Sequence, residues 1–320
     1  MRAIIAVCAL LLGVSATASV AQTSGRAIKI IYPFAAGNSG DSLARLIADR
    51  LGARLGVPVV VENRAGASGR IGIKAVIAAE PDGSTLLVGP MGPMALHPIA
   101  YANLDFDPLK DVAPIAHLAT FDLALVVGAG VPARSAGELA AWIKANPDKA
   151  NYGTPGLGGL PHFFAVMFQT SAGVQLRNVP YRGSAAVTND LVAGQLPIAF
   201  VPTAENIELH KSGRTRILAT SGAERSPFLA DVATFKEAGF DLVGEGWFGL
   251  FAPVRTPAAT LERLGAEMLS ALRDEAIRER IRGFGLVPTG GSAAELGRQQ
   301  KADQERWAPA IRASGFKPSD

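Results

Sequence analysis

Two short turns in this chain have the make-up to hold a small anion. The first, Tyr32-Pro33-Phe34-Ala35-Ala36-Gly37-Asn38-Ser39-Gly40-Asp41, leads from an apolar strand into an amphipathic stretch. The second, Thr154-Pro155-Gly156-Leu157-Gly158-Gly159, opens the stretch from Pro161 to Gln169. A helix start leaves backbone N–H groups unpaired and carries partial positive charge, so two starts facing across a cleft would clamp an anion. Ser184, after Tyr181-Arg182-Gly183, is a third helix start or a plain N-cap. Asp41 or Ser42 is suited to cap the first helix. His162 stands in the first turn after the second glycine-rich segment, where it can pack or meet the anion. Met91 and Met94 follow a strand and can face either the cleft or the core.

Other chemistry lacks its residues. Gly37 and Gly40 do not make G-x-G-x-x-G, and no G-K-[ST] occurs, so neither nucleotide motif is present. There is no G-x-S-x-G nucleophile elbow. His97, His117, His162 and His210 are scattered without H-E-x-x-H, and the single Cys8 lies near the N-terminus. No nucleophile–base pair, metal cluster or cofactor fingerprint emerges. The expectation is a binding protein with no catalytic, metal or cofactor residues, an exported enzyme using the same cleft being the rival reading.

The turns need elements to hold them. Ala27 to Tyr32 reads as a strand, and Leu43, Leu46, Ile47, Leu51 and Leu55 fall at helical spacing before Gly56 and Pro58. Val57 to Glu62 is a second strand, Arg70 to Ala79 a helix, and Thr85 to Gly89 a third strand after the turn Pro81-Asp82-Gly83. This β-α-β-α-β order favours a mainly parallel sheet. Residues 123 to 219 repeat the logic, with a capping box at Ser135–Glu138. The tail differs: a strand at Trp247–Ala252, a long helix from Thr256-Pro257 to about Arg282, and a final helix behind the capping box Ser292–Glu295. Trp247 and Phe248 read as core. Two lobes are expected, joined by crossing strands near residues 120–127 and 217–223. One lobe comprises 22–124 and 224–320, the other 125–223.

Composition bounds the rest. Arg2, the apolar run Ala3 to Val14 and the small-x-small site Ser19-Val20-Ala21 read as a secretory signal over residues 1–21, which directs the chain to the periplasm. Apolar residues make up 48% of the chain, too many for a disordered protein. A formal net charge of +3 with interspersed charges and 7% aromatics gives no nucleic-acid footprint.

These motifs resemble the Bug-type extracytoplasmic solute receptors of tripartite tricarboxylate transporters. Tyr32 to Asp41 is similar to their P-F-x-x-G-G-x-x-D loop, and Val59-Val60-Val61-Glu62-Asn63-Arg64-Ala65-Gly66 to V-V-V-E-N-R-P-G. Pro81-Asp82-Gly83-Ser84-Thr85-Leu86-Leu87 resembles P-D-G-Y-T-L-L. Thr154 to Gly159 with His162 resembles S-P-G-x-G-S-x-x-H, Val179 to Ser184 resembles V-P-Y-K-G-S, and Trp247-Phe248-Gly249-Leu250 resembles W-F-G-L. They run in family order over essentially the whole mature chain. The resemblance implies an α/β, two-lobed periplasmic binding protein fold of type II-like form that closes on its ligand, a monomer. It also implies a carboxylate held mainly by loop N–H groups and water, and membrane permease subunits as partners. By carry-over, Phe34, Ala36, Gly37, Asn38 and Ser39 line one lobe. Thr154, Gly158 and Gly159 line the other, with Ser184 and His162 nearby; Asp41 and Met91 complete the candidate set. Asn38 and Ser39 stand where the family has glycines, and Gly159 where it has serine. No acid is evident after the strand Ile198 to Phe200, which favours a carboxylate without an amine. Dicarboxylates, tricarboxylates and aromatic acids all remain open, as does a signalling rather than transport role.

Overall fold

The computed structural model describes residues 27–317, so the expected signal over 1–21, with Cys8, lies outside the described residues. The chain opens with β1 (Ile28–Tyr32), α1 (Ser39–Leu55), β2 (Val59–Asn63), α2 (Arg70–Ile77) and β3 (Thr85–Pro90). A π-helical turn over Gly92–Leu96 runs into α3 (His97–Ala100) and α4 (Pro108–Asp111). Next come β4 (Val112–Gly128), α5 (Ala136–Ala145), β5 (Asn151–Thr154), α6 (Leu160–Ala172), β6 (Arg177–Pro180), α7 (Ser184–Val192) and β7 (Ile198–Pro202). After the 3₁₀ turn Thr203–Asn206 come α8 (Ile207–Lys211), β8 (Thr215–Thr220) and β9 (Glu245–Pro253). The chain ends with α9 (Ala258–Leu272), α10 (Glu275–Gly283), β10 (Val287–Ser292) and α11 (Ala293–Ala313).

Local sequence explains these bounds. Burial of β1 on both faces fits a strand sandwiched between helix layers. Helix α1 buries Leu43, Leu46, Ile47 and Leu51 and stops at Gly56, whose φ of 70° suits a residue without Cβ. Ser292 and Glu295 form the reciprocal capping box expected for α11. At Ser135 only half the box forms: its side chain accepts from the Glu138 N–H, while Glu138 turns to the Arg134 N–H. The single long helix expected from Thr256 is instead two, because Asp274 caps a new start by accepting from the Ala276 N–H.

The chain builds two sheets that share β4. In the first, β2, β1 and β3 are parallel, and β9 and β4 follow antiparallel, with β10 on β4. In the second, β6, β5 and β7 are parallel, and β4 pairs antiparallel with β7 and β8. Each sheet is thus parallel only in its βαβ half; the antiparallel half arises where the chain crosses between sheets. Residues 112–122 of β4 belong to the first sheet and 123–128 to the second. Beyond β8, Leu229 and Val232 pack with Ile217 on the second sheet, and the chain reaches β9 through Gly244, whose N–H donates to Ser221 O at 2.8 Å. An aromatic seam of Tyr101, His162, Phe163 and Phe316 ties the helices of the two sheets together, with ring centroids 5.1–5.8 Å apart at Phe316.

Candidate ligand-binding site

The first glycine-rich turn is held by its own carboxylate. Asp41 is buried, accepts from the Gly37 N–H at 3.1 Å and from Asn63 Nδ2 at 2.8 Å, and pairs with Arg45. Burial works against the charge, but Asn63, Arg45 and Gly37 together hold Asp41 below the usual carboxylate range. Asn63, the last residue of β2, also donates to Phe34 O and so ties the strand end to the turn. Asn38 caps α1: its Oδ1 accepts from the Asp41 N–H and from the Tyr32 hydroxyl, both at 2.9 Å. The Tyr32 ring can lie over the helix start only because residue 40 is glycine. A Cβ there would fall 2.3 Å from Tyr32 Oη and 2.7 Å from Phe248 Cε1.

In the second lobe, α6 starts at Gly159 and α7 at Gly183, and no side chain caps either. Gly158 takes φ of +69°, and a Cβ on it would strike the Tyr101 ring at 2.8 Å. Its N–H donates to His162 Nδ1 at 3.3 Å, so His162 carries its proton on Nε2. Burial pushes His162 down to about 4, keeping it neutral. The two lobes approach closely: a Cβ on Gly92 would come within 3.5 Å of Gly159 Cα, and one on Gly156 within 3.3 Å of Ser68 Oγ.

Between them lies a cavity. Its aromatic wall is Tyr32, Phe34, Phe121 and Phe248, with Phe121 and Phe248 5.0 Å apart at their centroids. Pro90, Gly92, Pro93 and His97 close it from the first lobe; Leu157, Gly159, Leu160, Gly183 and Ser184 face it from the second. The space open to water centres is about 90 Å³. At about 10–15 Å³ per water, that is roughly six to nine waters, or one small organic molecule. Three helix starts converge here, those of α1, α6 and α7.

Of the sequence candidates, Phe34, Asn38, Ser39, Gly159 and Ser184 line this cavity. The others stand back from its wall. Ala36 and Gly37 form the exposed tip of the first turn. Asp41, Gly158 and His162 shape the turns from behind through the bonds described. Thr154 is buried, its hydroxyl donating to Gly156 O at 3.1 Å, and Met91 is buried in the core.

Other wall residues escaped the sequence reading, among them Phe121 and Phe248, the latter read as core, and two of them bear most on the polar groups of a ligand. One is His97, fully buried, with neither ring nitrogen hydrogen-bonded. Burial, with Arg70 nearby, pushes it down to about 3, so the ring is neutral. The other is Glu205, in the 3₁₀ turn after β7. Its Oε1 accepts from the Ser39 N–H at 3.1 Å and from Ser39 Oγ at 2.8 Å, across the cleft. Burial raises the Glu205 carboxyl and the Ser39 bonds partly offset this. The acid that the sequence lacks directly after Phe200 is therefore supplied a few residues later, and the inclination to an amine-free ligand loses its premise. Its place in a turn at the carboxyl end of a strand was the available signal, since ligands of open α/β sheets bind in that crevice.

Residues 43–316 match the model of the tripartite tricarboxylate transporter family receptor. The BugT protein of Bordetella pertussis is 31% identical over 95% of this chain and 94% of its own length. Among solved structures, R. palustris Rpa4515 with adipate superposes with a TM-score of 0.89 at 30% identity, covering 93% of this chain and 100% of that one. MatC from Rhodopseudomonas palustris with bound malate gives a TM-score of 0.84 at 28% identity, covering 89% and 99%.

Proposed function

Because this chain belongs to the tripartite tricarboxylate transporter receptor family, we propose that it is a periplasmic receptor that captures a small organic acid between its lobes and presents the closed form to a membrane permease. The observation that carries this reading is the meeting of three helix starts on one cavity of small-molecule size between the two sheets. Helix-start N–H groups neutralise an anion with atoms already fixed in place, so little side-chain entropy is lost on binding. Excluding water strengthens each bond. The acid favours the closed arrangement because only there do groups of both lobes reach it, and its binding energy shifts the population toward that form. The adipate and malate of the two structural relatives place small carboxylates in folds of this kind. A sensor kinase reading the same closed surface would use identical cavity chemistry; pull-down with each class of membrane partner separates the two.

The test is a thermal-shift screen of unfolded and refolded protein, freed of any co-purified ligand, against organic acids, amino acids and neutral sugars. At about 100-fold over the dissociation constant, a ligand adds about 2.7 kcal/mol, a shift of several degrees. A shift with acids alone supports the reading. A shift with sugars alone, or with nothing, sinks it.

A further inference from the structure

We propose that the cavity is built for an acid with a single carboxylate, seated at the uncapped starts of α6 and α7, because Glu205 already occupies the start of α1 that would hold a second. This inference rests on the receptor reading above. The three helix starts around the cavity are not equivalent. At α1, Asn38 Oδ1 takes the Asp41 N–H and Glu205 Oε1 takes both the N–H and the hydroxyl of Ser39. The partial positive charge of that start is already met by an anion of the protein itself. At α6 and α7 no side chain performs this service, and Gly159, Leu160, Gly183 and Ser184 face the cavity.

A second observation points the same way. His97 lines the cavity with both ring nitrogens buried and unpartnered, which is rare for a buried polar group unless a ligand or water completes it. The ring is neutral and adds no charge to this side of the cavity. Around Glu205 the picture is reversed. The groups facing it are Ser39 and the Tyr32 phenol, with Asp41 behind the turn; among the described residues no lysine or arginine bonds to it. A ligand carboxylate placed there would meet a like charge with no cation between. A ligand hydroxyl, amide or ammonium would instead find an acceptor in Glu205 Oε2, which takes no hydrogen bond from any described residue, and an apolar end would find the aromatic wall.

Calorimetry with matched pairs reads this directly. The pairs are succinate with 4-aminobutanoate, adipate with 6-aminohexanoate, and terephthalate with 4-hydroxybenzoate. Each pair keeps one carboxylate and exchanges the other for a donor group. In every pair that binds the wild-type protein, the single-carboxylate member is expected to bind about tenfold or more tighter, the scale of a like-charge contact in a closed site. Glu205→Gln keeps an acceptor for Ser39 but removes the charge, and should bring the dicarboxylate of that pair to parity or better. Glu205→Ala, which empties the seat, should do the same, and both variants are checked by melting for an intact fold. Tighter binding of the dicarboxylate by wild type, or a ratio unmoved within twofold in both variants, overturns the inference while leaving the receptor reading standing. Absence of binding by every acid in the thermal screen fells the receptor reading and this one with it.

Discussion

Replacing Asp122 with asparagine should stabilise the protein above neutral pH and not below pH 4. Asp122 sits where β4 passes from one sheet to the other, directly across from Glu245 on β9. Its Oδ2 is buried without a hydrogen-bond partner. Burial pushes the carboxyl up to about 6, with Glu245 adding to the rise, while its own amide and the hydroxyls of Thr203 and Ser226 pull the other way. A carboxyl raised on folding binds more protons in the native state than in the unfolded one between about pH 4 and pH 6. Stability therefore falls as pH rises through that window and stays lowered above it. From 3.8 to about 6, at about 1.4 kcal/mol per pH unit, the cost at pH 8 is about 3 kcal/mol. Asparagine has the same shape and no charge, and its amide can donate to the neighbouring hydroxyls. Urea titrations of both proteins at pH 4 and pH 8 check this. The variant should gain up to about 3 kcal/mol at pH 8, about 6 °C in melting temperature, and nothing at pH 4. Equal destabilisation at both pH values would show that Asp122 acts as a charged structural partner, refuting the reasoning.

Other outcomes follow from the same structure. Gly40→Ala drives a Cβ into Tyr32 and Phe248; denaturant unfolding should show a loss of about 1–3 kcal/mol, and ligand affinity should fall with it because both rings line the cavity. Asp41→Ala leaves the Asn63 amide and the Gly37 N–H without their acceptor; a loss of about 1–3 kcal/mol is expected in the same assay. Trp247→Phe removes one of the two donors to Asp303 Oδ2, a buried bond of 2.8 Å, and leaves Gln299 Nε2 at 2.9 Å as the other; losing a bond to this carboxyl should cost about 1–3 kcal/mol, most at high pH. Dicarboxylate affinity should rise as pH is lowered toward the Glu205 pKa, which lies above the ordinary carboxylate value, since protonation removes the like charge; calorimetry at pH 5 and pH 8 measures it.

The glycine-rich turns were legible because their physics is local. A small-residue run between an apolar strand and a helical period announces a helix start, and Phe34, Ser39, Gly159 and Ser184 follow from it. Asp41 was legible as a cap candidate, but its actual work, gathering Gly37, Asn63 and Arg45, depends on β2 lying beside the turn. Glu205 and His97 were not legible, since each matters through a group on a distant element or through having no partner at all. The long reach of β4 was missed over residues 112–119 because Pro114 interrupts the strand pattern; the pairing with β9 shifts register between Pro114 and Ala116, which accommodates it. The break between α9 and α10 was missed because apolar spacing continues across Asp274.

The place of β9 in the first sheet has a consequence for how the chain is made. It lies between β3 and β4, pairing with Leu87–Pro90 on one side and Val112–Asp122 on the other. Those two strands are complete more than a hundred residues before β9 begins at Glu245. As the chain emerges from N- to C-terminus, the second sheet, β4 to β8, can be assembled first, while the sheet whose residues come first waits with a gap in its middle. Folding of the first lobe is thus tied to the last quarter of the sequence, a long-range closure of the kind that slows folding and leaves strand edges open meanwhile. A chain cut anywhere before Glu245 would lack not an appendage but the strand that joins β3 to β4.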